Sequence, residues 1–106
     1  MTLPEPIRRY FDADARGDGE ALARAFAADA VVHDEGGTYR GPEAILGWWR
    51  TARAAYGATA TPLGRTETDG RSVVRARVTG TFPGSPAVLT FTFGLAGGLI
   101  ADLDIR

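Results

Sequence analysis

The chain has 106 residues, which suits one domain, and a domain of this size buries roughly 60–70% of the surface its unfolded chain exposes. At 44% apolar and 24% charged it is too apolar for a disordered tail; without cysteine it has no disulfide, thiolate metal site or thiol nucleophile; and His33 stands alone, which excludes a metal site of several histidines. Net charge is −1, carried with twelve arginines and no lysine, so a basic nucleic-acid face, a Schiff-base lysine and a phosphate-loop lysine are all missing.

No apolar run approaches the ~20 residues of a membrane helix, and no stretch reads as a leader. The sequence predicts a single cytoplasmic domain over 1–106, with no membrane, nucleic-acid, metal or cofactor partner.

In chain order, Thr2–Glu5 reads as a capping box, with Pro4 and Pro6 tolerated in a first turn. The helix it opens runs to about Arg16, where Gly17 can end it. Ile7, Tyr10, Phe11 and Asp14 share one face, and the aspartate is the odd member of that apolar stripe. Asp18 caps a second helix from Gly19 to about Ala28, with Leu22, Ala25 and Phe26 inward.

Ala30–Asp34 is a β-branched run, hence a strand. Alternation sets Val32 with Asp34 on one side and Val31 with His33 on the other. Glu35-Gly36-Gly37 turns the chain. Gly41-Pro42-Glu43 opens a third helix that carries Ile45, Trp48, Trp49, Ala52 and Tyr56 and stops at Gly57.

From Thr59 the pattern changes to strands. Thr59–Thr66 is extended, Asp69-Gly70 is a hairpin signal, and Ser72–Phe82 alternates. Val74, Ala76, Val78 and Phe82 fall on one side of that run; Val73, Arg75, Arg77 and Thr79 fall on the other. Val88–Leu95 puts Leu89, Phe91 and Phe93 on one face, and Leu99–Ile105 is the last strand. Helices followed by a meander of hairpin strands read as α+β, a bent antiparallel sheet wrapped around the helices with an apolar hollow between.

These elements, with local words such as Ile7-Arg8-Arg9-Tyr10-Phe11, Phe26-Ala27-Ala28-Asp29-Ala30, Tyr39-Arg40-Gly41-Pro42-Glu43 and Phe82-Pro83-Gly84-Ser85-Pro86, resemble the SnoaL-like branch of the nuclear-transport-factor-2-like superfamily. The resemblance covers nearly the whole chain. It implies a conical barrel, a strongly bent antiparallel sheet around three N-terminal helices, and a homodimer through the outer sheet face. Its activities range over isomerases, cyclases, dehydratases, hydrolases and non-catalytic modules, so fold alone does not choose among them.

Ketosteroid isomerases of the superfamily carry a tyrosine oxyanion donor on the first helix, eight residues before a Gly-Asp aspartate, and by resemblance that tyrosine is Tyr10, eight before Asp18. Their general-base aspartate follows a Phe-Ala-x-Asp-Ala segment and falls here on Asp34. Their second oxyanion donor falls on Leu89, which departs from the pattern and leaves half of the oxyanion hole missing.

Physics alone leaves alternatives for each residue. If the face of Val32 points inward, desolvation raises the pKa of Asp34 and fits it to take a proton α to a carbonyl; otherwise it caps the following turn in water. Tyr10 either donates to a developing enolate or packs as a half-buried core tyrosine. Asp14 is either a second inward carboxylate or a helix-edge partner of an arginine.

Phe11, Phe26, Trp48, Tyr56, Phe82, Phe91 and Phe93 are the candidate walls for a hydrophobic small molecule. Adjacent helix positions point about 100° apart, which assigns Trp48 to the cavity and Trp49 to packing under the sheet. His33, Arg75 and Arg77 fall on the outer face. The Asp–Arg–Asp arrangement of limonene-epoxide-hydrolase-like relatives would map onto Asp102 or Asp104 with one of those arginines, and the phase of the alternation speaks against it. The resulting reading is a cofactor-independent proton-transfer enzyme for a hydrophobic carbonyl compound, with a non-catalytic binding or dimerisation module as the alternative.

Overall fold

The computed structural model describes all 106 residues. Three helices, α1 (Glu5–Arg16), α2 (Gly19–Arg24) and α3 (Pro42–Tyr56), lie against a six-stranded sheet of β1 (Phe26–Asp34), β2 (Gly37–Arg40), β3 (Thr59–Thr68), β4 (Arg71–Thr79), β5 (Ala87–Ala96) and β6 (Leu99–Ile105). The spatial order is β2-β1-β6-β5-β4-β3, so the sheet curls but keeps two edges. All neighbours are antiparallel except β1 and β6, which run parallel, with Val32 beside Leu103 and Asp34 beside Ile105. Register shifts between Phe26 and Val31, between Pro62 and Gly64, and between Gly94 and Leu95 bend the strands around the helices.

The capping box predicted at Thr2 does not form. Pro4 is the N-cap, no side chain caps the helix, and the Thr2 carbonyl is held instead by Arg65 Nη1 at 2.6 Å. At the other end Gly17, at φ 70°, supplies the left-handed stop. Asp18 does cap α2, accepting from the Ala21 N–H at 3.1 Å, but that helix ends four residues early. Phe26–Ala28 belong to β1 because Phe26 pairs with Ile100, and a tertiary ladder overrides local helix preference. The turn at Glu35 and Gly36 also closes a strand, β2, that the sequence pattern does not announce. Phe82 lies beyond β4, in the loop to β5.

The alternation along the later strands holds. Val74, Ala76, Phe91 and Phe93 are buried on the concave face, whereas Arg75 and Arg77 are exposed on the convex one. The core sits between that concave face and the helices. The ring of Tyr10 is its aromatic centre, edge-on to Phe11 (5.1 Å), Phe26 (5.9 Å) and Phe93 (5.8 Å). α2 seats on α3 at Gly19, where a Cβ would lie 2.8 Å from Leu46 Cδ1 and 3.0 Å from Trp49 Cζ3. That close approach fixes where Trp49 stands.

Candidate active site

Between α1, α3 and the concave face of the sheet is a cavity of about 430 Å³, within the range of small-molecule sites. Its apolar wall comes from α3 (Ala52), β4 (Val78), β5 (Leu89 and Phe91) and the end of β6 (Ile105). Tyr10, Asp14, Asp34, Glu35, Arg53 and Tyr56 are its ionisable members.

Asp34 ends β1 and is half-buried, on the inward side with Val32. Trp48 Nε1 donates to its Oδ2 at 3.0 Å, and no protein donor meets Oδ1. Burial pushes its carboxyl above the ordinary carboxylate range; the Trp48 bond pulls the other way, and the nearby Glu35 and Asp104 carboxylates add to the rise. Asp34 also borders a polar depression on its far side, lined by His33, Thr38, Asp104 and Arg106. One carboxylate thus faces an apolar cavity and a wet surface.

Tyr10 is 3% exposed, and its hydroxyl makes no hydrogen bond within the protein. Burial, then the Asp14 and Asp34 charges, hold its pKa well above the ordinary phenol value, so near neutral pH it carries its proton and can only donate or accept as a neutral hydroxyl.

Asp14, 4% exposed, is bonded at both oxygens. Trp49 Nε1 donates to Oδ1 at 2.7 Å and the Ala60 N–H to Oδ2 at 2.8 Å. Arg53 Nη1 stands 3.8 Å from Oδ1 and donates to the Asp14 carbonyl at 2.9 Å, while its guanidinium lies 4.9 Å over the Trp49 ring. Burial raises the Asp14 pKa, and the Ala60, Trp49 and Arg53 contacts oppose that rise.

The structure therefore brings Tyr10, Asp14, Asp34, Trp48, Tyr56, Phe82 and Phe91 to one cavity. It does not bring Phe11, Phe26 and Phe93 there: they surround the back of the Tyr10 ring, because the helical stripe and the inward strand face serve core and wall alike. Trp49 is a second correction. It lines the cavity with Trp48, since the divergence of adjacent helix positions sends the two indoles to two different carboxylates of one wall. His33 is exposed and bonded to Thr38 Oγ1 at 3.2 Å.

Asp102 pairs with Arg71 and Asp104 with Arg106, so neither joins Arg75 or Arg77. The arginine inside the cavity is Arg53, one turn after Trp49 on α3, a spacing that the sequence displays. Leu89 lines the wall where the resemblance calls for a second donor. No group of three or more His, Cys, Asp or Glu side chains is placed to hold a metal ion, and no helix is long and apolar enough to cross a membrane.

The SnoaL-like domain profile matches residues 7–103. The chain belongs to the SnoaL-like family. A solved structure from Sinorhizobium meliloti, named as a candidate polyketide cyclase, is 47% identical, with a TM-score of 0.94 over 98% of this chain and 95% of that one. A protein from Sphaerobacter thermophilus is 30% identical at a TM-score of 0.78, covering 95% of this chain and 91% of that one. A protein from Catenulispora acidiphila, described as having a ketosteroid-isomerase-like fold, is 23% identical at a TM-score of 0.85, covering 99% and 86%. Other structures of this shape are described as NTF2-like and cystatin-like. No curated protein matches the chain. The family establishes the α+β architecture of a bent sheet curled around three helices; the chemistry rests on the cavity.

Proposed function

We propose that this SnoaL-like domain is a cofactor-independent proton-transfer enzyme, of isomerase or cyclase type, acting on a hydrophobic carbonyl compound. One observation carries the reading: a tyrosine whose hydroxyl has no internal partner and an aspartate with one oxygen free of any protein donor line the same largely apolar cavity. Asp34 takes a proton from the carbon next to the carbonyl, the C–H electrons form the enolate, and Tyr10 donates to the enolate oxygen. Asp34 then returns the proton at the same or a neighbouring carbon. Trp48 orients Asp34 by holding Oδ2, which leaves Oδ1 for the substrate. We assign Asp14 a positioning role, since both its oxygens are already bonded. The name of the Sinorhizobium relative supports a cyclase type, in which the same enolate attacks a second carbonyl.

The test is deuterium uptake next to the carbonyl of 2-tetralone in heavy water. Wild-type protein should accelerate it and Asp34→Asn should not. Equal rates for the two proteins, or no acceleration by wild type, would sink the reading.

Leu89 favours a second reading. With one oxyanion donor instead of two, the cavity would hold a hydrophobic ligand without turning it over, and a co-purifying ligand in native mass spectrometry together with an inert wild type would support this. We also propose that the convex face, with Val31 and Val73, pairs with a second copy. A monomer by light scattering at micromolar concentration would remove that proposal.

A further inference from the structure

The loop between β1 and β2 breaks a local rule. Its two residues, Glu35 and Gly36, have φ of 50° and 78°. A hairpin loop with both residues in this left-handed region favours asparagine, aspartate or glycine first, because most side chains crowd the following carbonyl there. A glutamate in that place is strained, and strain held in a short surface turn calls for a compensating use.

The position of the side chain supplies one. Glu35 borders both the cavity and the polar depression beside it, is exposed, and forms no ion pair with any arginine or histidine. It therefore stands at the rim of the cavity as a free negative charge.

The other charges do not cancel it. Arg53, the cation in the cavity wall, is engaged by Asp14 and by the carbonyls of Asp14 and Ala58. Arg106, in the depression, pairs with Asp104. His33 bonds Thr38 on the outer side. Asp34 and Asp104 are acidic themselves. The approach past Glu35 is negative.

We propose that Glu35 is a specificity-determining residue that makes the cavity accept uncharged carbonyl compounds and turn away those bearing a carboxylate. The inference rests on the reading of the cavity as a ligand site and names the class of ligand it takes. Like charges brought together at a rim oppose binding, by an amount that solvent and salt reduce.

Two probes of one shape separate the charge from the size: 2-acetonaphthone, which is neutral, and 2-naphthoate, which is anionic at pH 7.5. Equilibrium dialysis of each against wild type, Glu35→Gln, Glu35→Asn and Glu35→Lys gives the ratio of the two affinities. Wild type should prefer the ketone. The preference should shrink about three- to tenfold in both Glu35→Gln and Glu35→Asn, and shrink further in Glu35→Lys. It should also shrink in 0.5 M salt for wild type and less so for the neutral variants.

Asparagine suits the turn, so Glu35→Asn should melt at or above wild type, which separates a charge effect from a folding defect. An affinity ratio that stays constant across the series, or a wild type that prefers naphthoate, overturns the proposal and leaves the proton-transfer reading standing. A wild type that binds neither probe overturns the proposal too, and exchange on 2-tetralone then decides the proton-transfer reading separately.

Discussion

Trp48 and Trp49 are neighbours on one helix, and each gives its indole N–H to an aspartate in the wall of one cavity, yet the two pairs do different work. Asp14 beside Trp49 is closed: two donors and an arginine occupy it, and it ties α1 to α3 and to the start of β3. Asp34 beside Trp48 is open: one oxygen is held, the other is free, and the carboxylate borders both the cavity and solvent. Burial raises both pKa values. Residue type, donor and shift alike fail to tell a structural carboxylate from a reactive one. The count of unfilled acceptor sites does.

The sharpest way to break that contrast is to remove each carboxylate. Asp34→Asn should lower the rate of deuterium exchange on 2-tetralone by about 10³-fold, the range of a lost general base, while the urea midpoint moves little. Asp14→Ala should do the reverse in kind. It leaves the buried Trp49 N–H and the half-buried Ala60 N–H without their acceptor and takes the nearby countercharge from Arg53, and should cost about 3 kcal/mol of folding stability by urea denaturation. If the Asp14 variant folds as well as wild type, the closed pair is not a structural tie.

Tyr10→Phe sharpens the comparison from the other wall. Its hydroxyl makes no internal bond, so stability should change by less than about 1 kcal/mol, while exchange falls about 10²-fold with the loss of an oxyanion donor. Equal exchange rates for the two proteins would show that the hydroxyl does not reach the reacting oxygen.

The indoles give a smaller effect. Trp49→Phe removes a buried bond to Asp14 and should cost about 1–3 kcal/mol; Trp48→Phe should cost less, since Asp34 keeps access to water. Trp48→Phe should also move the acid limb of the exchange rate to higher pH, because it deletes the bond that favours the charged carboxylate.

The pH dependence is the finest probe. A carboxylate whose folded pKa is raised binds its proton more tightly in the folded state. Its destabilising effect is absent below the unfolded value near 4 and grows as pH rises through the folded one. Stability of wild type relative to Asp34→Asn should therefore fall as pH rises from about 4 toward neutrality, and the exchange rate should rise over the same span as Asp34 ionises. A flat difference would mean that Asp34 is solvated like a free carboxylate.

Much of the fold was legible because periodicity reports which face is buried. The stripe of Ile7, Tyr10, Phe11 and Asp14, the alternation of Val74, Ala76 and Val78 against Arg75 and Arg77, and the inward side shared by Val32 and Asp34 all appear in the structure as the pattern predicts. The elements that pairing creates were not legible. β2 folds back on β1 across a two-residue turn whose first residue is a glutamate rather than one of the usual turn formers, and Phe26–Ala28 carry no local sign that Phe26 pairs with Ile100 near the far end of the chain.

The same division runs through the site. By itself the sequence determined that Tyr10 and Asp14 share a face with Ile7 and Phe11, and Asp34 with Val32, since side-chain direction follows from helical and strand repeats; that those faces turn inward came with the fold. Only the tertiary structure decided which carboxylate is filled and which is free, that Phe11, Phe26 and Phe93 back the tyrosine rather than line the cavity, and that Trp49, Arg53 and Glu35 border it. Those outcomes depend on where α3 and the β1–β2 turn meet the curled sheet. Contacts between elements far apart in the chain set that meeting, and no repeat along the chain encodes it.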